Sequence, residues 1–192
     1  MLSWLAVGSM SEGLGLVLVL GGVAGCAVER PETLPPDDAD AVEEVGSVRW
    51  RLGLHGIGAV RPGMSLAEAT TAVGVEADDP TPQAECRYVT FAVVPVGVSF
   101  MIVGDTVRRV DVRAGDVTTD RGARIGDPES RILELYADDL ERMPHKYAPD
   151  GEYLVTSSPD SLSRLVFETE ADTVTRMRVG LVPQVLWVEG CG

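Results

Sequence analysis

The sequence predicts an α+β fold: a tandem repeat of a short helix followed by antiparallel strands, with the helices packed on one face of the sheet. Three observations carry that expectation. Ser65 and Glu68 stand at the spacing of a capping box, in which a hydroxyl and a carboxylate satisfy free amides of the first helical turn. Arg124-Ile125-Gly126-Asp127-Pro128-Glu129-Ser130-Arg131-Ile132 repeats the plan of the segment around Gly63, with Asp127 as the expected cap and Pro128 at the first helical position. Finally, the run from Phe100 to Val112 lies over the run from Phe167 to Val179, each reading as two strands joined by a tight turn, at Gly104-Asp105 and Ala171-Asp172. Self-similarity of this kind sets the architecture before any residue is assigned a role.

The helices follow from their apolar stripes. After Ser65, residues Leu66, Ala69, Ala72 and Val73 share one face, and Gly74 is a natural stop. Aligning Gly63 with Gly126 places Ala69 on Ile132, Ala72 on Leu135 and Val73 on Tyr136, so both helices turn the same stripe inward. Strands are expected at Ser47 to Leu54, Cys86 to Val94, Val98 to Val103 and Val107 to Arg113 in the first repeat. In the second they are expected at Tyr153 to Thr156, Leu165 to Thr169, Val174 to Val179 and Val185 to Val188. Met143 to Gly151 reads as a loop.

In the third strand of each copy, Val110 and Val112 alternate with Arg109, Asp111 and Arg113, and Met177 and Val179 alternate with Arg176 and Arg178. Such alternation describes a sheet with one face on the core and one in water. A row of arginines on the wet face makes Arg109, Arg113, Arg176 and Arg178 candidate contacts for an acidic partner, because guanidinium forks suit carboxylates. The competing expectation is a solvated face with cross-strand ion pairs to acids such as Glu168.

Ahead of the repeats, residues 1–25 read as a lipoprotein-type signal peptide. The apolar run from Leu14 to Gly25 is too short to span a bilayer comfortably, which takes about 20 residues. It ends at Val23-Ala24-Gly25-Cys26, which resembles the lipobox of bacterial lipoproteins and implies lipid on Cys26. Met1 to Gly13 lacks Lys and Arg and contains Glu12, a departure from that pattern that a start at Met10 does not repair. An ordinary secretory signal and an uncleaved anchor are the other readings. Residues 26–46, with Asp37, Asp38 and Asp40 among prolines, read as a disordered acidic tether. The repeats then occupy 47–115 and 116–192.

Three cysteines need an explanation in an exported protein. Lipid on Cys26 leaves Cys86 and Cys191 as an expected disulfide; a metal or nucleophilic thiol is the alternative. The net charge of −14 with one lysine, Lys146, argues against nucleic-acid binding. Only His55 and His145 offer imidazoles, and there is no nucleophile elbow, phosphate-cradling glycine loop or metal-binding helix motif. No catalysis, cofactor or metal is expected, the least favoured reading being a small hydrolase working through His145.

Gly63-Met64-Ser65 with Glu68-Ala69 and Gly74 resembles the pattern of the SmpA/OmlA (BamE-like) envelope lipoproteins and the beta-lactamase inhibitor protein. That resemblance implies small units pairing helix with antiparallel sheet, in tandem in the inhibitor. The expectation is therefore an exported protein, lipid-anchored at the cell membrane or outer envelope, that binds an envelope or extracellular protein. A secreted inhibitor of an extracellular enzyme is the alternative.

Overall fold

Residues 50–160 and 162–192 are described by a computed structural model. The lipobox-like segment, Cys26 and the tether lie outside the described residues. The first elements are two short strands, β1 (Arg51–Gly53) and β2 (Gly56–Ile57), joined as a hairpin. Helix α1 (Leu66–Val73) begins where its cap places it. The Glu68 amide donates to Ser65 Oγ at 3.2 Å and the Ser65 amide donates to Glu68 Oε2 at 2.8 Å, closing the capping box, and Gly74 ends the helix in the left-handed conformation at φ +80°. The chain then forms β3 (Ala77–Asp78), β4 (Cys86–Phe91), β5 (Val98–Val103), β6 (Thr106–Val112) and β7 (Thr118–Thr119).

Helix α2 (Glu129–Tyr136) starts one residue later than expected. Pro128 is its N-cap, with no side-chain cap, and Asp127 instead accepts the Arg124 amide at 3.0 Å and faces the guanidinium groups of Arg124 and Arg131. After it come β8 (Leu140–Pro144), β9 (Glu152–Ser157), β10 (Ser163–Glu170) and β11 (Thr173–Leu181). The β10–β11 turn is the expected Ala171-Asp172, both residues at positive φ, as a two-residue hairpin turn matched to strand twist requires.

The predicted fold class is corrected by the sheet topology. The protein is mostly β: a single eight-stranded antiparallel sheet in the order β3-β4-β5-β6-β11-β10-β9-β8, with a second, three-stranded sheet in the order β2-β1-β7. It is not a tandem helix-plus-strand repeat with helices forming one face. The pairing of β6 with β11, with Val110 opposite Val179 and Asp111 opposite Arg178, runs the strands of both proposed copies into one sheet. The local likeness that suggested two copies is real at the helix starts. The Gly63 amide donates to Val107 O and the Gly126 amide to Val174 O, while the Val107 and Val174 amides donate back to Met64 O and Asp127 O.

One face of the large sheet carries the main core, including Phe100, Val110, Leu154, Phe167 and Val179. The helices contribute only Ala69, Ile132 and Tyr136 to its buried members; the short sheet and its flanks contribute Leu52, Ile57, Val60, Val117 and Ala123. Burying large side chains of this kind contributes about 1.5–3 kcal/mol each. The opposite face has a smaller cluster, Tyr153, Val155, Val166 and Val185. Val185 belongs to the C-terminal segment, and here two local expectations are corrected. The run Val185 to Val188 is not a strand; Gln184–Leu186 forms a 3-10 turn that lies on the sheet. Met143 and Pro144, read as loop, close the edge strand β8, where Pro144 is tolerated because an edge leaves one side of the ladder unpaired.

Candidate functional site

The alternation along β6 and β11 is as expected, but the face bearing the arginines is not wet. Arg109 is 1% exposed, Asp111 0% and Arg178 2%. The physical reason is the C-terminal segment from Val182 to Cys191, which returns across this face as a strap. Its backbone carbonyls are the arginines' partners: Arg109 Nη1 donates to Gln184 O at 3.0 Å and Trp187 O at 2.6 Å, and Arg178 Nε donates to Val185 O at 2.9 Å. Arg109 also reaches Asp111 Oδ2 at 2.8 Å and the Tyr88 hydroxyl at 2.5 Å. Removing two guanidinium groups from water costs several kcal/mol each unless their donors are met, and the strap carbonyls share that task with Asp111, Tyr88 and Glu168. Burial, first, and the nearby Asp111 carboxylate push the Tyr88 pKa above its ordinary value.

The strap is fastened at its far end. The expected disulfide, Cys86–Cys191, is present with a Cα separation of 5.4 Å and closes a span of 105 residues. Lys146 Nζ meets Glu189 Oε1 at 2.7 Å. Gly190 sits against Tyr88, where a Cβ would come within 2.8 Å of the phenol oxygen, and its φ of +70° also favours glycine. The remaining two candidate arginines differ. Arg176 faces Glu168 at 3.6 Å, and Arg113 is exposed with its guanidinium 5.8 Å from the centroid of the Tyr88 ring.

Glu168 is the hub beside the strap. It accepts from Arg178 Nη1 at 2.8 Å and is met by His145 Nε2 at 3.1 Å. Burial pushes its pKa up, yet the His145 hydrogen bond and the charges of Arg176 and Arg178 outweigh burial and hold the carboxyl below its ordinary value. His145 Nδ1 accepts the amides of Tyr147 at 3.0 Å and Ala148 at 2.8 Å. With that lone pair occupied, the ring proton belongs on Nε2, donated to Glu168. The imidazole is stacked 4.7 Å from Tyr153 and has no free lone pair for a general base. The same geometry opposes a metal at His145, Glu168 and Glu170, whose ligand atoms all lie within 4.8 Å of one another. Coordination there would displace the Nε2 proton and the guanidinium groups on Glu168.

Of several open concavities among the described residues, one that gathers charged side chains of both signs lies on the short sheet. Arg51 opens β1, His55 lies in the β1–β2 turn and Arg61 follows a tight turn in which Ile57 and Val60 exchange both backbone hydrogen bonds. Asp120 follows β7, placed by its amide bonding Leu52 O at 3.1 Å, and its carboxylate lies over Gly53, where an added Cβ would displace it. These residues bound a basin of about 260 Å³. It adjoins a second, of about 290 Å³, floored by Leu52, Leu165 and Tyr136 and rimmed by the Arg121–Asp139 ion pair, with Gly53 and Asp120 common to both. The available signal was the cluster of glycines and arginines between Arg51 and Arg61.

No family model and no curated protein matches the chain. Among solved structures, the chain is similar to the uncharacterized protein yfeY from Escherichia coli, at a TM-score of 0.37 and 16% identity, over 68% of this chain and 99% of that one.

Proposed function

We propose that the chain is an exported, lipid-anchored, non-catalytic module of the BamE-like kind that binds an envelope or extracellular protein. The observation that carries this reading is the Cys86–Cys191 disulfide. Structural disulfides persist in oxidising compartments, and this one leaves Cys26 as the third cysteine, at the end of a lipobox-like run. The binding role is supported by apolar side chains held outward on anchored segments: Leu186 and Trp187 on the strap, Val93 and Val96 between β4 and β5. The test is mass spectrometry of the protein's N-terminus together with crosslinked capture from the membrane fraction, for the full chain and Cys26→Ser. Diacylglyceryl-modified Cys26 and one recurrent envelope protein, with the variant released from membranes, are expected. An unmodified soluble protein overturns the reading.

A further inference from the structure

The basin on the short sheet holds charges of both signs that do not neutralise one another. Elsewhere the arginines of this acidic protein find carboxylates: Arg87 meets Asp79 and Arg109 meets Asp111 at 2.8 Å, and Arg142 meets both Glu129 and Glu152 at 2.6 Å. Among the described residues, the arginines with neither a carboxylate partner nor an aromatic one include Arg51, Arg61 and the half-buried Arg108, and the first two bound this one basin. Asp120 on its wall likewise has no ion pair or side-chain hydrogen bond. A second carboxylate, Asp160, faces His55, but it is already occupied by the Ser158 hydroxyl and the Leu162 amide.

Opposite charges that share a concavity without pairing are complementary to a ligand that carries both. The cations stand on β1 and after β2, and the anion stands after β7, on the side shared with the second, apolar-floored basin. A carboxylate fits the guanidinium forks of Arg51 and Arg61, an ammonium fits Asp120, and an apolar substituent next to the ammonium reaches over Leu52, Leu165 and Tyr136. Each basin is near the lower limit of small-molecule clefts, roughly 300–1,000 Å³, which suits a metabolite rather than a polymer. We propose that this pair of basins binds a free α-amino acid with an apolar side chain. The backbone that carries two of these groups is fixed without a ligand, since Ile57 and Val60 close the turn ahead of Arg61 and the Asp120 amide bonds Leu52 O. This site is separate from the surface proposed for a protein partner and does not depend on it.

The experiment is calorimetric titration of the full disulfide-bonded chain with leucine and phenylalanine, beside N-acetyl-leucine, which lacks the ammonium, and leucinamide, which lacks the carboxylate. Saturable binding of leucine or phenylalanine is expected, weakened about tenfold or more by Arg61→Ala and by Asp120→Asn, each the loss of one charge-assisted contact. N-acetyl-leucine is expected to bind weakly but equally to wild type and Asp120→Asn, and leucinamide equally to wild type and Arg61→Ala. The exposed substitutions leave the thermal midpoint unchanged, so lost binding is not lost folding. Absence of saturable binding by either amino acid in the wild type overturns the proposal. So does binding that both variants retain, or preference for inorganic phosphate over the amino acids.

Discussion

Arg109 and Arg178 under the strap and Arg51 and Arg61 in the basin are the same residue type put to opposite ends. The first pair is dry and held by the same chain: Arg109 donates from all three of its guanidinium nitrogens, to a carboxylate, two carbonyls and a phenol, and Arg178 donates from Nε and Nη1 to a carbonyl and a carboxylate. The second pair is exposed and has no carboxylate partner. What separates them is whether distant backbone returns to cover them. An arginine row read along a strand therefore marks a polar face but not an interface with another molecule, because the chain itself is the first candidate to occupy it.

Four perturbations test that contrast, beginning with the largest. Replacing Cys86 and Cys191 with serine frees the strap and is expected to lower unfolding free energy by up to about 4–5 kcal/mol, the chain-entropy figure for a loop of this size. Urea unfolding followed by tryptophan emission reads it. An unchanged midpoint means the arginines alone hold the strap. Next, Arg109→Met strands Asp111 without its partner and is expected to cost about 3–5 kcal/mol, most of it recovered when Asp111→Leu is added. If the double variant is no better than the single, the strap carbonyls rather than the carboxylate dominate.

A smaller effect is expected from acid. Glu168 is held below its ordinary carboxyl pKa of 4.5, so its ionised form contributes stability above that pH, and the contribution disappears as pH falls through the folded-state value. Urea midpoints of Glu168→Gln should fall less steeply than those of wild type over that acid range; parallel curves would show that His145, Arg176 and Arg178 do not favour the carboxylate. The smallest change is predicted for Arg51→Ala, within about 0.5 kcal/mol of wild type, as befits an exposed side chain without a partner. A larger loss would put Arg51 in the company of Arg109 and count against an open site.

The elements legible in the sequence are those encoded by neighbours. The capping box at Ser65, the stop at Gly74 and the β5–β6 and β10–β11 hairpins appear where local spacing places them, and the cysteine pair, though 105 residues apart, followed from the cysteine count. The misreadings share a different origin. Pro128 rather than Asp127 caps α2, because Asp127 is drawn to Arg124 and Arg131. Two helix-and-hairpin segments looked like two repeats because the β6–β11 pairing that merges them is non-local. The apolar run from Val185 to Val188 was too short to distinguish strand from packed turn. Strap and basin were illegible for the same reason: Arg109 meets carbonyls 75 and 78 residues away, and Arg51 shares its basin with Asp120 across the chain.

The disulfide has a topological consequence. It makes the stretch from Cys86 to Cys191 a covalent ring that contains most of the large sheet, with β1, β2, α1 and β3 hanging from it as a single arm. A protease that nicks any loop within the ring opens it without releasing a fragment, whereas a nick between β3 and β4 severs the arm. Damage to the chain is thus concealed on one side of Cys86 and exposed on the other.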